Sequence, residues 1–209
     1  MPGMSHPVFA RFYPRISQPL NERCIASHRT ELLAGLAGEV IEIGCGDGKN
    51  FPCYPPAVTR VRAVEPEPYL RRLAQAATEN AAPAIDIIDG RAERLPAADA
   101  SLDAAVFTLT LCTIQDPAVA LREAYRVLRP GGQLLFIEHV RASTPGLARV
   151  QHLLDATIWP ALLGGCHLGR DTATAIEHAG FSIDQLRSFL YPQARTPVSF
   201  YIRGTARRP

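Results

Sequence analysis

The sequence predicts an α/β fold: a doubly wound, mostly parallel sheet with helices on both faces. Three observations carry that prediction. Short β-branched runs alternate with amphipathic segments between residues 40 and 140, an order that sets strands side by side and lays helices over them. A glycine-rich turn, Gly44-Cys45-Gly46-Asp47-Gly48, follows the first of those runs at once. The last two extended stretches, 181–189 and 198–205, have no clear helix between them, so they should pair antiparallel.

The elements follow in order. Residues 1–20 hold Pro2, Pro7, Pro14 and Pro19, which argue against a long helix there. Between these prolines the apolar and aromatic run Val8-Phe9-Ala10-Arg11-Phe12-Tyr13 can pack as an arm over the domain, or as a flap over a ligand with Tyr13 offering its hydroxyl. Residues 21–36 read as a helix, with Ile25, Leu32, Leu33 and Leu36 near helical spacing and Gly38 beyond. The first strand is 40–43. Pro52, Pro55 and Pro56 forbid a long helix after the glycine turn. The second strand, 60–64, ends at Glu65. A helix over 68–80, a strand over 84–88 and a strand over 102–109 come next. A helix over 118–128 is stopped by Arg129-Pro130-Gly131-Gly132, and the strand 133–140 ends in Glu138 and His139. Residues 146–163 are helical, with a kink or stop at Pro160. A helix over 171–179, with Gly180 suited to a left-handed end, precedes the last two strands. The total is seven strands with the last one antiparallel, in a single domain spanning 1–209.

A chain of 209 residues is long enough for a substantial core. Its 47% hydrophobic and 20% charged content are ordinary for a soluble globular protein. A formal charge of +2, with Lys49 as the only lysine and the arginines scattered, gives no push towards nucleic acid. No stretch approaches the roughly 20 apolar residues of a membrane span, so no integral membrane segment is expected. The five cysteines, Cys24, Cys45, Cys53, Cys112 and Cys166, are odd in number and form no C-x-x-C pair. That pattern argues against a disulfide scaffold or a structural metal, and fits a cytoplasmic protein.

Ligands of such sheets bind beyond the strand C-termini, at the switch point. A glycine turn there lets a ligand approach the backbone closely, with amides and a helix N-terminus facing its polar groups. Dinucleotide enzymes typically show G-x-G-x-x-G and an acid about 20 positions on. Here Asp47 lies in the turn itself, which is awkward beside a pyrophosphate. A phosphate-free ligand with a cationic amino-acid end, such as S-adenosylmethionine, tolerates both Asp47 and Glu42. Glu65 is placed to accept ribose hydroxyls in either case.

Several motifs then resemble those of class I S-adenosylmethionine-dependent methyltransferases. Val40-Ile-Glu-Ile-Gly-Cys-Gly-Asp-Gly48 is similar to their first motif and Ala63-Val64-Glu65-Pro66 to their second. Gly90-Arg91-Ala92-Glu93-Arg94-Leu95-Pro96 resembles the adenine-contact motif. Leu102-Asp103-Ala104-Ala105-Val106, followed by the run from Glu123 to Gly132, completes the set in the expected order. The resemblance implies a Rossmann-like sheet, S-adenosylmethionine as cofactor and S-adenosylhomocysteine as product. It implies that Gly44, Cys45 and Gly46 run under the methionine part, that Glu65 holds the ribose, that Pro66 packs on the adenine, and that Ala92 meets its edge. Thr108 and Leu109 should lie beneath the sulfonium end, with Cys112 just beyond. Arg91 stands where the motif usually has an acid. Arginine offers donors only, so Glu93 or a backbone carbonyl takes that contact.

For the acceptor, the sequence offers two lines. Phe136-Ile137-Glu138-His139-Val140, Gln151-His152-Leu153-Leu154-Asp155, Trp159 and Gly165-Cys166-His167-Leu168 resemble the alkyl-thiol methyltransferases, the methyltransferase-like-7 group. Thr108-Leu109-Thr110-Leu111-Cys112 and Asn50-Phe51 with Tyr54-Pro55-Pro56 match that group too. The resemblance implies S-methylation of small thiols. Mammalian members carry an N-terminal hydrophobic anchor, whereas residues 1–20 here are proline-rich. The alternatives are O- or N-methylation of a secondary metabolite with His139 as base, phospholipid or quinone methylation, a cofactor-binding module without catalysis, and a nicotinamide dehydrogenase. His139 and Asp155 are the candidate catalytic residues. His152 and Asp155 share a helix face and either line the pocket or form a structural pair. Residues 141–180 read as an acceptor-pocket or lid insertion in which Trp159, Leu162 and Leu163 supply apolar surface. Cys112 reads as a packing residue, and adjacent Cys166 and His167 make a poor metal site.

Overall fold

The computed structural model describes residues 7–20, 25–191 and 193–209. Seven strands form one sheet: β1 (Gly38–Ile43), β2 (Val58–Val64), β3 (Ala84–Ile88), β4 (Leu102–Thr108), β5 (Leu128–His139), β6 (Ser182–Leu190) and β7 (Phe200–Arg207). Their order is β3-β2-β1-β4-β5-β7-β6. Each strand from β3 to β5 runs parallel to its neighbours in that order, and β7 lies antiparallel between β5 and β6. The order reverses between β1 and β4, so their C-terminal ends frame the crevice of a doubly wound sheet.

Strand alternation divides the core in two. Ile41 and Ile43 of β1, Ala105 and Phe107 of β4, and Leu134 and Phe136 of β5 face one side. There they pack on α4 (Pro117–Val127) through Leu121 and Ala124, and on α7 (Thr172–His178) through Ile176. Val40 and, from β4, Ala104 and Val106 face the other side, against Leu33 of α2 (Ala26–Leu33) and Ala74 of α3 (Pro68–Ala77). Burial on both faces explains why these strands read as apolar runs in the sequence.

The main difference from the sequence reading is at the N-terminus, where α1 (Pro7–Leu20) is a 14-residue helix containing Pro14 and Pro19. Pro7 opens the helix, where a missing amide proton costs nothing. Pro14 forfeits one internal bond. The apolar face of α1, with Ala10 2% exposed, packs on the domain and offsets that loss. Tertiary burial outweighs local propensity here. Of the helix expected over 21–36, residues 21–24 lie outside the described residues, and α2 forms the rest.

Two further boundaries move. The expected turn at 129–132 is a bulge inside β5: Gly131 has φ +79°, and the pairing with β4 shifts between Leu102 and Ala104. Gly131 donates to the Arg208 carbonyl (2.7 Å) and Arg208 to that of Gly132 (2.9 Å), stitching the bulge to the C-terminal end of β7. The long helix expected over 146–163 is two helices, α5 (Pro145–Asp155) and α6 (Trp159–Leu162), with Pro160 in the first turn of the second.

Candidate active site

The glycine loop leaves β1 in a backbone conformation that only glycine adopts freely: Gly44, Gly46 and Gly48 have φ of +72°, +59° and +83°. The Gly44 amide reaches across to the Val64 carbonyl at the end of β2 (2.8 Å). A Cβ on Gly44 would collide with the Thr110 side chain. Beside the loop, Glu65 is 6% exposed and accepts from the amides of Gly46 and Glu67, each at 3.0 Å. These two bonds aim the carboxylate and leave lone pairs for a further donor. Burial raises the Glu65 pKa, with the two amides working against it.

Beneath the loop lies a buried polar network that the sequence reading missed. Glu42, 2% exposed, accepts from the Asn50 amide (2.9 Å) and the Tyr54 hydroxyl (2.7 Å). Asn50 also donates to Thr108 (3.1 Å) and accepts from Arg29 of α2. Glu42 is therefore held in the floor of the crevice by two neighbours on the segment that follows the glycine loop. Burial pushes its carboxyl up to about 7 against the hydrogen bonds of Tyr54 and Asn50 and the charge of Arg29. In the sequence Asn50-Phe51 and Tyr54-Pro55-Pro56 stood out as matching motifs, with nothing to join them to Glu42.

Past β4 the chain turns sharply. Leu109 has φ +56°, a strained value for a leucine. Its amide donates to the Ile137 carbonyl (2.7 Å). The next three amides, of Thr110, Leu111 and Cys112, donate to the fully buried Glu138 carboxylate at 3.0, 2.9 and 3.1 Å. Glu138 thus fixes the turn that brings Thr108, Leu109 and Cys112 to the crevice. Burial pushes its carboxyl up to about 7 despite those three amides.

α1 spans the strand tips. The Tyr13 ring lies over Gly46, in ordinary contact distance of where a Cβ would stand (3.4 Å). One turn earlier, Phe9 fills the space beside Gly164, between α6 and Cys166. Lys49 stands 5.3 Å from the Tyr13 ring centroid. Burial pushes the Tyr13 phenol up to about 12, with Arg29 opposing and Asp47 and Glu65 adding to the shift. The helix therefore ties the glycine loop to the 141–180 segment, and Tyr13 is in reach of Glu65 and Asp47.

In the segment that the sequence reading matched to an adenine-contact motif, Ala92 is buried in a tight turn bridging Arg91 and Arg94, and Glu93 is half-buried. Arg91 is half exposed at the surface, 3.9 Å from Glu93. Pro66 is exposed at the rim beyond Glu65.

At the tip of β5, His139 is 4% exposed, and neither ring nitrogen has a conventional hydrogen-bond partner. Its ring leans on Tyr201 of β7 (4.9 Å between centroids), which stacks on Phe189 of β6 (5.4 Å). The polar group beside His139 is the Cys166 thiol, which also touches Cys112 and Trp159. The two oxygens of Asp155 accept from the amides of Leu168 (2.7 Å) and Gly169 (2.8 Å). Asp155 clamps the loop that carries Cys166, while His152 on the same helix is exposed. The buried Gln151, also missed, joins the exit of β5 to the β6–β7 connection through Ala142 (2.7 Å) and Pro197 (2.7 Å). Two cavities of about 170 and 470 Å³ open on the far side of Arg170, away from the glycine loop.

A left-handed glycine loop under a tyrosine, with a buried carboxylate at the tip of the neighbouring strand, defines an α/β protein that takes a nucleoside-type cofactor at its switch point. The profile of the methyltransferase domain family matches residues 41–136. Thiol S-methyltransferase TMT1B of Rattus norvegicus is 36% identical over 98% of this chain and 89% of its own length. A putative methyltransferase from Bacillus halodurans superimposes with a TM-score of 0.72 at 18% identity, over 88% of this chain and 98% of its own. The N-methyltransferase NodS from Bradyrhizobium japonicum, in complex with S-adenosyl-L-homocysteine, does so with a TM-score of 0.66 at 20% identity, over 90% and 87%. The chain belongs to the S-adenosylmethionine-dependent methyltransferases, in the family of the thiol S-methyltransferases. The residues present fit the cofactor: a Cβ at Gly46 would enter the cradle under Tyr13, and Glu65 is aimed and buried beside it.

Proposed function

We propose that this methyltransferase acts on the sulfur of a small apolar thiol. The observation that carries the reading is that the likeness to the rat thiol S-methyltransferase runs over 98% of the chain, acceptor half included, and so beyond the cofactor motifs. The chemistry of the crevice agrees. S-adenosylmethionine, when bound, supplies a methyl carbon made electrophilic by its sulfonium. The chain's own part is to align the acceptor and exclude water. A thiol of pKa about 8.5 is already about one-tenth ionised near pH 7.5, so it needs no strong base. The carboxylates on the acceptor side are committed elsewhere, Glu138 to three amides and Asp155 to two. His139 is left to take the remaining proton.

In this reading Gly44, Cys45 and Gly46 support the methionine part, Tyr13 covers it, and Glu65 takes the ribose. Pro66, Ala92 and Glu93 flank the adenine, while Thr108, Leu109 and Cys112 form the floor under the methyl group. Residues 141–180 form the acceptor wall, with Trp159 and Leu163 partly buried, Leu162 exposed to solvent and His139 at its base. Four free cysteines among the described residues fit a reducing compartment, and a cytoplasmic location without nucleic-acid partners belongs to the same proposal. No described helix is long and apolar enough to cross a membrane. The test is a panel of alkyl thiols, aryl thiols, phenols and amines, read as S-adenosylhomocysteine release. Turnover of small thiols is expected; turnover confined to phenols or amines would overturn the acceptor assignment.

A further inference from the structure

The methyl-transfer reading gives no chemical role to two neighbouring thiols. The Cys166 backbone lies against Cys112, because the His167 amide donates to the Cys112 carbonyl (2.8 Å). That bond brings the two side chains, 54 positions apart in the chain, into one neighbourhood, where each thiol shifts the other. Both are free. Cys112 is 2% exposed and sits behind Cys166, which is partly open. Two buried polar groups adjoin the Cys166 sulfur without a conventional partner of their own: the His139 ring and the Trp159 indole nitrogen. The Cys166 sulfur is the acceptor beside both, and a thiolate accepts from them better than a thiol does.

We propose that Cys112 and Cys166 form a second reactive site on this protein, a dithiol that small organic disulfides oxidise. The two cysteines divide the work. Cys166, partly open and flanked by donors, attacks first. Contact with the Cys112 thiol and with His139 holds it below the ordinary thiol range, while the same contact and burial push Cys112 up. A lowered, accessible thiol is the attacking partner in exchange chemistry, and a buried neighbour is the resolving one.

The balance is simple. The Cys166 thiolate attacks one sulfur of R–S–S–R; that S–S bond breaks, and the departing thiolate gains a proton to leave as R–SH. The Cys112 sulfur then gives up its proton and attacks Cys166 Sγ in the mixed disulfide, and the second R–S leaves with that proton. Two protein thiols become one disulfide, and one small disulfide is reduced to two thiols. Excess thiol reverses both steps. The new bond pins the turn after β4 to the loop that closes the acceptor wall. Where the acceptor is itself a thiol, as proposed above, this bond makes the wall respond to the oxidised form of the acceptor; that clause alone rests on the acceptor reading.

The experiment uses the full chain and 2-hydroxyethyl disulfide at pH 7.5, without S-adenosylmethionine, followed by acid quench, alkylation and tryptic mass spectrometry. Each of the five cysteines falls in a different tryptic peptide, with Cys112 in 95–122 and Cys166 in 150–170. The expected product joins those two peptides, with two equivalents of 2-mercaptoethanol released and full reversal by a phosphine. In Cys112→Ser the reaction should stop at a mixed disulfide on Cys166. In Cys166→Ser, Cys112 should remain reduced, its oxidation slowed by about tenfold or more. Wild-type protein that alkylates at both positions after treatment would overturn the proposal. So would a mixed disulfide confined to Cys53, or oxidation of Cys112 at the wild-type rate in Cys166→Ser. Methyl transfer plays no part in the readout. A protein that cross-links yet methylates no thiol therefore refutes the acceptor reading and leaves the dithiol standing.

Discussion

At the residue scale, the two carboxylates near the glycine loop have different jobs, and two variants separate them. Glu65 is presented by the Gly46 and Glu67 amides at the tip of β2, so Glu65→Ala should weaken S-adenosylhomocysteine binding by about 1.5–3 kcal/mol, the range for hydrogen bonds to a charged group. Isothermal calorimetry measures it directly; unchanged affinity removes Glu65 from the site. Glu42 lies below, bonded to Asn50 and Tyr54, with its carboxyl raised to about 7. A folded pKa above the unfolded one means that the folded state binds the extra proton. The stability tied to that proton is complete below the unfolded value of 4.5 and is lost as pH rises through about 7. Glu42→Gln has no proton to lose. Its stability relative to wild type should therefore improve between pH 5 and 8, by roughly 3 kcal/mol at most. Urea titrations of both proteins across that range give the difference, and parallel pH profiles would show that Glu42 titrates alike in the folded and unfolded states.

At the element scale, the crevice depends on how strand ends are turned. Leu109 holds a left-handed conformation costing about 1–3 kcal/mol, and three consecutive amides on Glu138 make that turn persist. Glutamine at 138 keeps the shape and one acceptor oxygen, but sets an NH2 group against a buried amide. Glu138→Gln should cost about 1–3 kcal/mol, seen as a lower thermal midpoint, and should weaken cofactor binding through the displaced Thr108–Cys112 turn. A variant with wild-type stability would mean that the turn holds without its carboxylate. This device was not legible in the sequence: Glu138 reads as the last polar residue of an apolar strand, and its partners lie 26–28 positions away. The strands themselves were legible because burial on both faces leaves apolar β-branched runs. α1 was misread for the opposite reason. Its prolines are a local signal, whereas the contacts of Phe9 with Gly164 and Tyr13 with Gly46 that hold it are tertiary.

At the scale of the whole molecule, the two halves of the crevice stand on separate supports. The cofactor half is built from the tips of β1, β2 and β4, and its glycines and Glu65 follow one another closely enough in sequence to be read as motifs. The acceptor half is assembled from β5, β7 and the segment 141–180, where Gln151 and Asp155 hold loops far from them in the chain. That is why it was only partly legible: the helix face that Asp155 shares with His152 is a local pattern, whereas its hydrogen bonds reach 13 and 14 positions along the chain. The separation has a measurable consequence. Asp155 touches neither the glycine loop nor Glu65; it holds the Leu168 and Gly169 amides, and with them the loop bearing Cys166. Asp155→Ala should therefore leave S-adenosylhomocysteine affinity within about twofold of wild type, since sites without shared partners are nearly independent. The same change should raise the KM for the acceptor by about tenfold or more, as two buried amides lose their partner and the wall shifts. A fall in kcat at unchanged KM would instead assign Asp155 to the chemical step.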